Sequence, residues 1–175
     1  MKNIKKILAL MLVLCMAMAF TGCVSTSGTS SSSTAKIEIS EEEQNPDMSS
    51  YTNDFAGIVD YLTVCEVLAG EGEEMAHDFI GAVNGAKFSY KYEGTTVTCE
   101  IYEFDTENLN EKAEETIASV KENGTFSALH ENVEAVLSDS DKFLMVYRNS
   151  DDEKDDVQKA FTERTMEKFT SFVGK

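Results

Sequence analysis

The chain is 175 residues long and 42% hydrophobic, with 32 acidic against 15 basic side chains and a formal net charge of −17 at pH 7. So acidic a surface repels nucleic acid and anionic lipid headgroups, and no basic patch in the sequence offsets it, which excludes nucleic acid as a partner. A chain of this size builds one compact core and not two.

Lys2, Lys5 and Lys6 make a basic start, residues 7–20 are almost wholly apolar, and Thr21-Gly22 place small residues before Cys23. That order is the order of a secretory signal, and its apolar run is short for a membrane span. The ending Phe20-Thr21-Gly22-Cys23 resembles the lipobox of bacterial lipoproteins, with Phe20 where that family usually has Leu. The resemblance implies that residues 1–22 are removed and that the Cys23 thiol carries a diacylglycerol. The implied partner is then the lipid membrane, and the implied address is the extracytoplasmic face of the cell membrane. Two acyl chains hold stably where a single one, at about 0.8 kcal/mol per buried methylene, anchors only marginally. Without the resemblance, the segment reads as a plain secretory signal cut after Ala17 or Ala19, leaving Cys23 an ordinary thiol.

Residues 24–34 are nearly all Ser, Thr and Gly, and residues 35–50 add Glu41-Glu42-Glu43 and the only proline, Pro46. Such a composition buries too little apolar surface to offset the entropy of ordering, so residues 23–50 are expected to be a lipidated cysteine and flexible tether. The globular domain is expected over 51–175. Cys15 leaves with the signal and Cys23 is consumed by lipid, so Cys65 and Cys99 remain in the domain. An oxidising compartment permits a disulfide between them, and two separate buried thiols fit equally well.

Within the domain, residues 53–69 place Phe55, Ile58, Val59, Leu62, Cys65 and Ala69 on one helical stripe, with Asn53 or Thr52 as N-cap. A second short helix is expected over 73–83, carrying Met75, Phe79, Ile80 and Val83 inward and ending at Asn84-Gly85. Phe88, Tyr90 and Tyr92 then alternate with polar residues as a half-buried strand, Glu93-Gly94-Thr95 turns the chain, and residues 96–104 answer as its partner. Asn108 with Glu111 fits a capping box for a helix bearing Leu109, Ala113, Ile117 and Val120, closed by Gly124. Residues 126–129 are ambiguous. Residues 133–137 and 142–148 read as a second hairpin around Ser138-Asp139-Ser140-Asp141. A last helix, capped by Ser150 with Glu153, buries Val157, Ala160, Phe161, Phe169 and Phe172.

The pattern is α+β: a single small domain, an antiparallel sheet of about four strands packed with about four helices in the order ααββαββα, in which a duplicated ββα unit is conceivable. Beyond the lipobox, this small acidic domain resembles small lipoproteins of anaerobic Gram-positive bacteria. That likeness is one of style without a shared motif, and it carries over no activity and no site.

No nucleophile elbow, phosphate loop, dinucleotide fingerprint or paired-histidine zinc motif is present. His77 and His130 stand far apart in sequence and read as surface residues. The carboxylates of residues 138–156 are dense enough to suggest Ca²⁺, but Phe143 falls where a calcium loop needs another oxygen ligand, and acids at a helix start have a simpler cause in the helix dipole. No metal and no cofactor are expected. Tyr90, Tyr92 and Tyr102 offer a recognition surface for an envelope protein, peptide or glycan, against the plainer reading of aromatic core pairs. The expectation is a non-catalytic, membrane-anchored binding or envelope-accessory domain. The alternatives are a small enzyme whose site no local motif reveals, or a Ca²⁺-binding surface module.

Overall fold

The computed structural model describes residues 35–38, 44–152 and 155–175. The signal segment, Cys23 and residues 24–34 lie outside the described residues. Strict alternation builds the centre of the fold. In β3 (Asn84–Tyr92), Ala86, Phe88, Tyr90 and Tyr92 point inward while Lys87, Ser89 and Lys91 are exposed. Its partner β4 (Thr95–Glu103) follows a two-residue turn in which Glu93 and Gly94 both have positive φ, 45° and 88°. Such a turn matches the twist of the strands it joins, and it sets the register Phe88 opposite Cys99 and Tyr90 opposite Val97.

Four further strands complete the sheet. β8 (Phe143–Asn149) runs antiparallel beside β4, and β7 (Val136–Leu137) is antiparallel to the first residues of β8. On the other side of β3, β1 (Ala35–Ile37) pairs parallel with Tyr90 to Tyr92, and β2 (Glu73–Glu74) pairs antiparallel with Ala86 and Lys87. The sheet therefore has six strands and is mixed, whereas an antiparallel sheet of four was expected. The excess is β1 and β2, edge strands of three and two residues, too brief to show a period of two. β5 (Thr125–Ala128) and β6 (Glu131–Glu134) form a separate hairpin, so the segment expected as one strand over 133–137 is shared between two sheets.

Among the described residues three α-helices pack on this framework, where four helices were expected. α1 (Phe55–Val64) and α3 (Asp156–Thr170) cover one face. There Ile58, Tyr61, Leu62, Phe161, Phe169 and Phe172 meet Phe88, Tyr90, Val97, Cys99 and Phe143. α2 (Glu111–Asn123) and the β5–β6 hairpin cover part of the other face, where Ala113, Ile117, Val120 and Phe126 meet Tyr102, Phe104, Leu144 and Val146. The two ββα stretches thus send their helices to opposite faces of the sheet, which is not the arrangement of a simple repeat.

The helix expected over 73–83 is absent for a local reason. Its first residues spend their backbone groups on the edge of β3, with Met75 N–H continuing the pairing to the Gly85 carbonyl at 3.1 Å. A 3-10 turn at Asp78–Ile80 follows, ended by Gly81 at φ 79°. Gly81 nests so closely on α2 that a Cβ there would lie 2.3 Å from the Ala113 nitrogen. Of the supposed stripe only Ile80 is fully buried, while Phe79 and Val83 are 41% and 52% exposed.

The caps also move by a residue or more. Asp54 caps α1, accepting from Gly57 N–H at 2.8 Å, and Asn110 caps α2, accepting from Ala113 N–H at 2.9 Å. Asp155 caps α3, accepting from Val157 and Gln158 N–H groups at 2.8 and 3.2 Å. The later start rotates the inward stripe of α3 to Gln158, Phe161, Thr165, Lys168 and Phe169, leaving Val157 and Ala160 exposed. Glu153, the other half of the expected capping box, lies outside the described residues.

Residues 35–38 and 44–50 do more than the expected tether. Ile37 is 4% exposed in the core, Met48 packs against that core, and Lys168 Nζ bonds the Asn45 side chain. The folded unit therefore begins before residue 51.

Candidate functional site

Helix α2, at about 1.5 Å per residue, is shorter than the nine-residue strands beneath it, which rise about 3.3 Å per residue. It covers one end of its face and leaves the other end open. From the covered end outward, the register stacks Gly85, Tyr102 and Leu144, then Lys87, Glu100 and Val146. Next come Ser89, Thr98 and Arg148, and finally Lys91 beside Thr96. Tyr102, Leu144 and Val146 are buried, whereas Lys87, Ser89, Lys91, Thr96 and Arg148 are exposed. The parallel pairing of β1 sets Lys36 next to Lys91.

Four cations and three hydroxyls thus line the open half of the sheet, with Glu73 and Glu100 opposite Lys87. Lys36 is paired with Glu38 at 2.9 Å, but Lys87, Lys91 and Arg148 close no ion pair among the described residues. In a chain with more than twice as many acids as bases, that grouping stands out. At the inner margin the Tyr102 hydroxyl donates to Glu100 Oε2 at 3.2 Å. Burial raises the Tyr102 pKa, Glu100 raises it further, and the Arg148 charge pulls it back down.

A groove of about 410 Å³ adjoins this face at the edge of β8, between α3 and the β5–β6 hairpin. Val136, Met145, Tyr147, Thr162 and Met166 form its apolar and hydroxyl-bearing wall. Burial raises the Tyr147 pKa, against the nearby Thr162 and Thr165 hydroxyls, which lower it.

The residues singled out from sequence fall elsewhere. Tyr90 and Tyr102 are 0% and 1% exposed and Tyr92 is 7% exposed, so these rings are core and present no recognition surface. The Tyr90 hydroxyl donates to the Val67 carbonyl at 2.8 Å, and Tyr92 stacks on Phe161 with ring centroids 3.9 Å apart. The exposed side chains are instead the alternate, outward residues of the same strands, a signal present in the sequence as the polar half of each alternation. Cys65 and Cys99 are both fully buried thiols, and the disulfide weighed for them is not formed. Burial pushes the Cys99 thiol pKa well above its ordinary value, the condition of an inert thiol.

His77 turns its Nδ1 to the Ala82 carbonyl at 2.9 Å, which ties down the 3-10 turn. The dense carboxylates are dispersed into structural duties: Asp141 pairs with Lys121, Asp151 accepts from the Thr95 hydroxyl at 2.8 Å, and Asp155 is the cap of α3. No group of three or more His, Cys, Asp or Glu side chains among the described residues is arranged to hold a metal ion. None of the helices among them is long and apolar enough to cross a membrane. Comparison of the chain with known protein families, characterised proteins and solved structures finds no match.

Proposed function

We propose that this protein is a lipid-anchored, extracytoplasmic binding module, held to the membrane through a diacylglycerol on Cys23 and presenting the open half of its sheet to a macromolecule that carries anionic groups. The observation that carries this reading is the uncovered sheet face itself. A sheet whose other face is sealed by two helices leaves Lys87, Lys91 and Arg148 in solvent, with Glu73 and Glu100 opposite Lys87 and the Ser89, Thr96 and Thr98 hydroxyls beside them. Clustered donors of this kind recognise carboxylates or phosphates, and the acidity of the rest of the surface confines such a partner to this face. The lipobox ending at Cys23 and the absence of a membrane-crossing helix among the described residues favour the lipid anchor.

Two arms test the proposal in intact cells. A clickable fatty acid should label the wild-type protein and leave Cys23→Ala unlabelled; label persisting in that variant overturns the anchor. A photocrosslinking side chain at Thr96 should trap one discrete partner, and the Lys91→Glu, Arg148→Glu double variant should abolish the adduct while melting at the wild-type temperature. Equal adducts from Thr96 and from Glu122 on the outer side of α2 would overturn the assignment of the face.

A further inference from the structure

We propose that the groove beside β8 binds an extended peptide segment of a partner protein by adding it as a strand to the free edge of β8. This deepens the reading of the chain as a binding module and names a second kind of contact for it. The argument starts from backbone direction. The Lys142 carbonyl accepts from Phe104 N–H at 2.8 Å on the β4 side, and the Phe143 carbonyl accepts from Ser138 N–H at 2.9 Å on the β7 side. Main-chain groups alternate along a strand, so Leu144, Val146 and Arg148 bond toward β4, while Met145, Tyr147 and Asn149 turn toward the side of β7.

β7 serves only the start of that edge. It pairs Leu137 with Leu144 and Val136 with Met145, and there it ends. The residue that would continue the ladder opposite Tyr147 is Glu134, but Glu134 pairs with Thr125 in β5, and Ala135 N–H turns to the Gly124 carbonyl at 2.9 Å. The amides and carbonyls of Tyr147 and Asn149 therefore have no strand partner among the described residues. Such an edge is a template for pairing; this stretch lacks a proline, and its one charged side chain, Arg148, stands on the open face of the sheet, away from the groove.

The groove sits where an added strand would need it. Side chains of an incoming strand alternate, so one set would drop between Met145 and Tyr147 on the sheet and Thr162 and Met166 on α3. Its volume falls within the range of about 300–1,000 Å³ usual for binding sites. The charged residues lining it among those described are Glu134 and Asp152, both acids. The fitting occupant is thus an extended segment with apolar residues at alternate positions and Lys or Arg between or beside them. A second copy of this chain fits poorly, because two bodies of net charge −17 repel.

The test uses the purified full chain and a blocked peptide, Lys-Val-Lys-Val-Lys-Trp, whose indole is the sole one in the mixture because the chain has no Trp. Two analogues carry N-methyl groups on one or the other alternate set of amides. Saturable binding is expected, with at least a tenfold loss for one N-methyl isomer and little for the other, since only one set faces β8. Thr162→Phe, which fills the groove without adding an indole, and Glu134→Lys, which reverses its charge, should each weaken binding at least tenfold with unchanged melting temperature. The Lys87→Gln, Lys91→Gln variant, altered on β3 and away from the free edge of β8, should bind the peptide as the wild type does, which separates this site from the open face. The proposal is overturned by absence of saturable binding at millimolar peptide, by equal affinity of both isomers, by loss in the open-face variant, or by concentration-dependent self-association that the peptide fails to compete.

Discussion

Leu129 and His130, at the tip of the β5–β6 hairpin, have φ values of 51° and 71°, and Leu129 is 96% exposed. A two-residue hairpin turn needs this left-handed geometry, but Leu and His carry a Cβ that opposes it, at about 1–2 kcal/mol per residue. No packing at Leu129 offsets that strain. Replacing the pair as Leu129→Asn with His130→Gly should therefore stabilise the protein by about 1–2 kcal/mol, visible as a melting temperature several degrees higher. An unchanged or lower melting temperature would mean that this backbone geometry stores no strain. A second residue-scale effect belongs to Asp54, whose pKa is held below 3.8 because its carboxylate accepts from Gly57 N–H and then from the Thr52 hydroxyl. A depressed folded-state pKa gives stability that is present above the unfolded value and lost as pH falls through the folded one. The stability gap between wild type and Asp54→Asn should thus be constant near neutrality and shrink below about pH 4. A gap that holds at pH 2 would contradict this account of the cap.

Among the elements, β1 carries the sharpest expectation. Ile37 inserts into the core beside Tyr92 and Tyr90 from a strand of three residues, inside a segment whose composition reads as tether. Removing a buried side chain of this size costs about 2–5 kcal/mol. Ile37→Ala should lower stability by about 2 kcal/mol or more in denaturant unfolding, and wild-type stability in that variant would return residues 35–38 to the tether. The contrast shows what one-dimensional patterns can carry. β3, β4 and α2 were legible because each repeats its period several times or ends on a glycine of positive φ, as α2 does at Gly124, and β8 was legible as an apolar run. β1 and β2 were not, since strands of two or three residues hold no period and exist only because the edge of β3 offers hydrogen bonds. The same limit hid the candidate site. The outward Lys87, Lys91 and Arg148 could be read from alternation, but that α2 stops short of them is a fact of three-dimensional coverage. The groove arises where residues 131–137 divide between two sheets, and no local signal marks that division.

For the whole molecule, acidity and architecture pull in opposite directions. The thirty-two acids of the chain repel one another, and apart from the half-buried Lys142–Glu103 pair, ion pairs among the described residues such as Lys112–Glu115 and Lys159–Glu163 are exposed ones of little worth. Cohesion comes instead from the apolar layers on either side of one sheet, with stacked and edge-on rings such as Tyr92–Phe161 and Phe143–Phe172 between sheet and helices. Hydrophobic burial is insensitive to modest salt, whereas self-repulsion falls as the screening length shrinks from about 30 Å at 0.01 M to about 8 Å at 0.15 M. The melting temperature should therefore rise between 10 and 150 mM NaCl, and rise less in a variant with several surface acids of α2, such as Glu114 and Glu122, made Gln. Capture of an anionic partner on the open sheet face should weaken over the same range, because there the interacting charges are opposite. Salt thus stabilises the fold while loosening its complex, and a melting temperature that fell alongside partner capture would show that the charges hold the fold together, with the open face no exception to them.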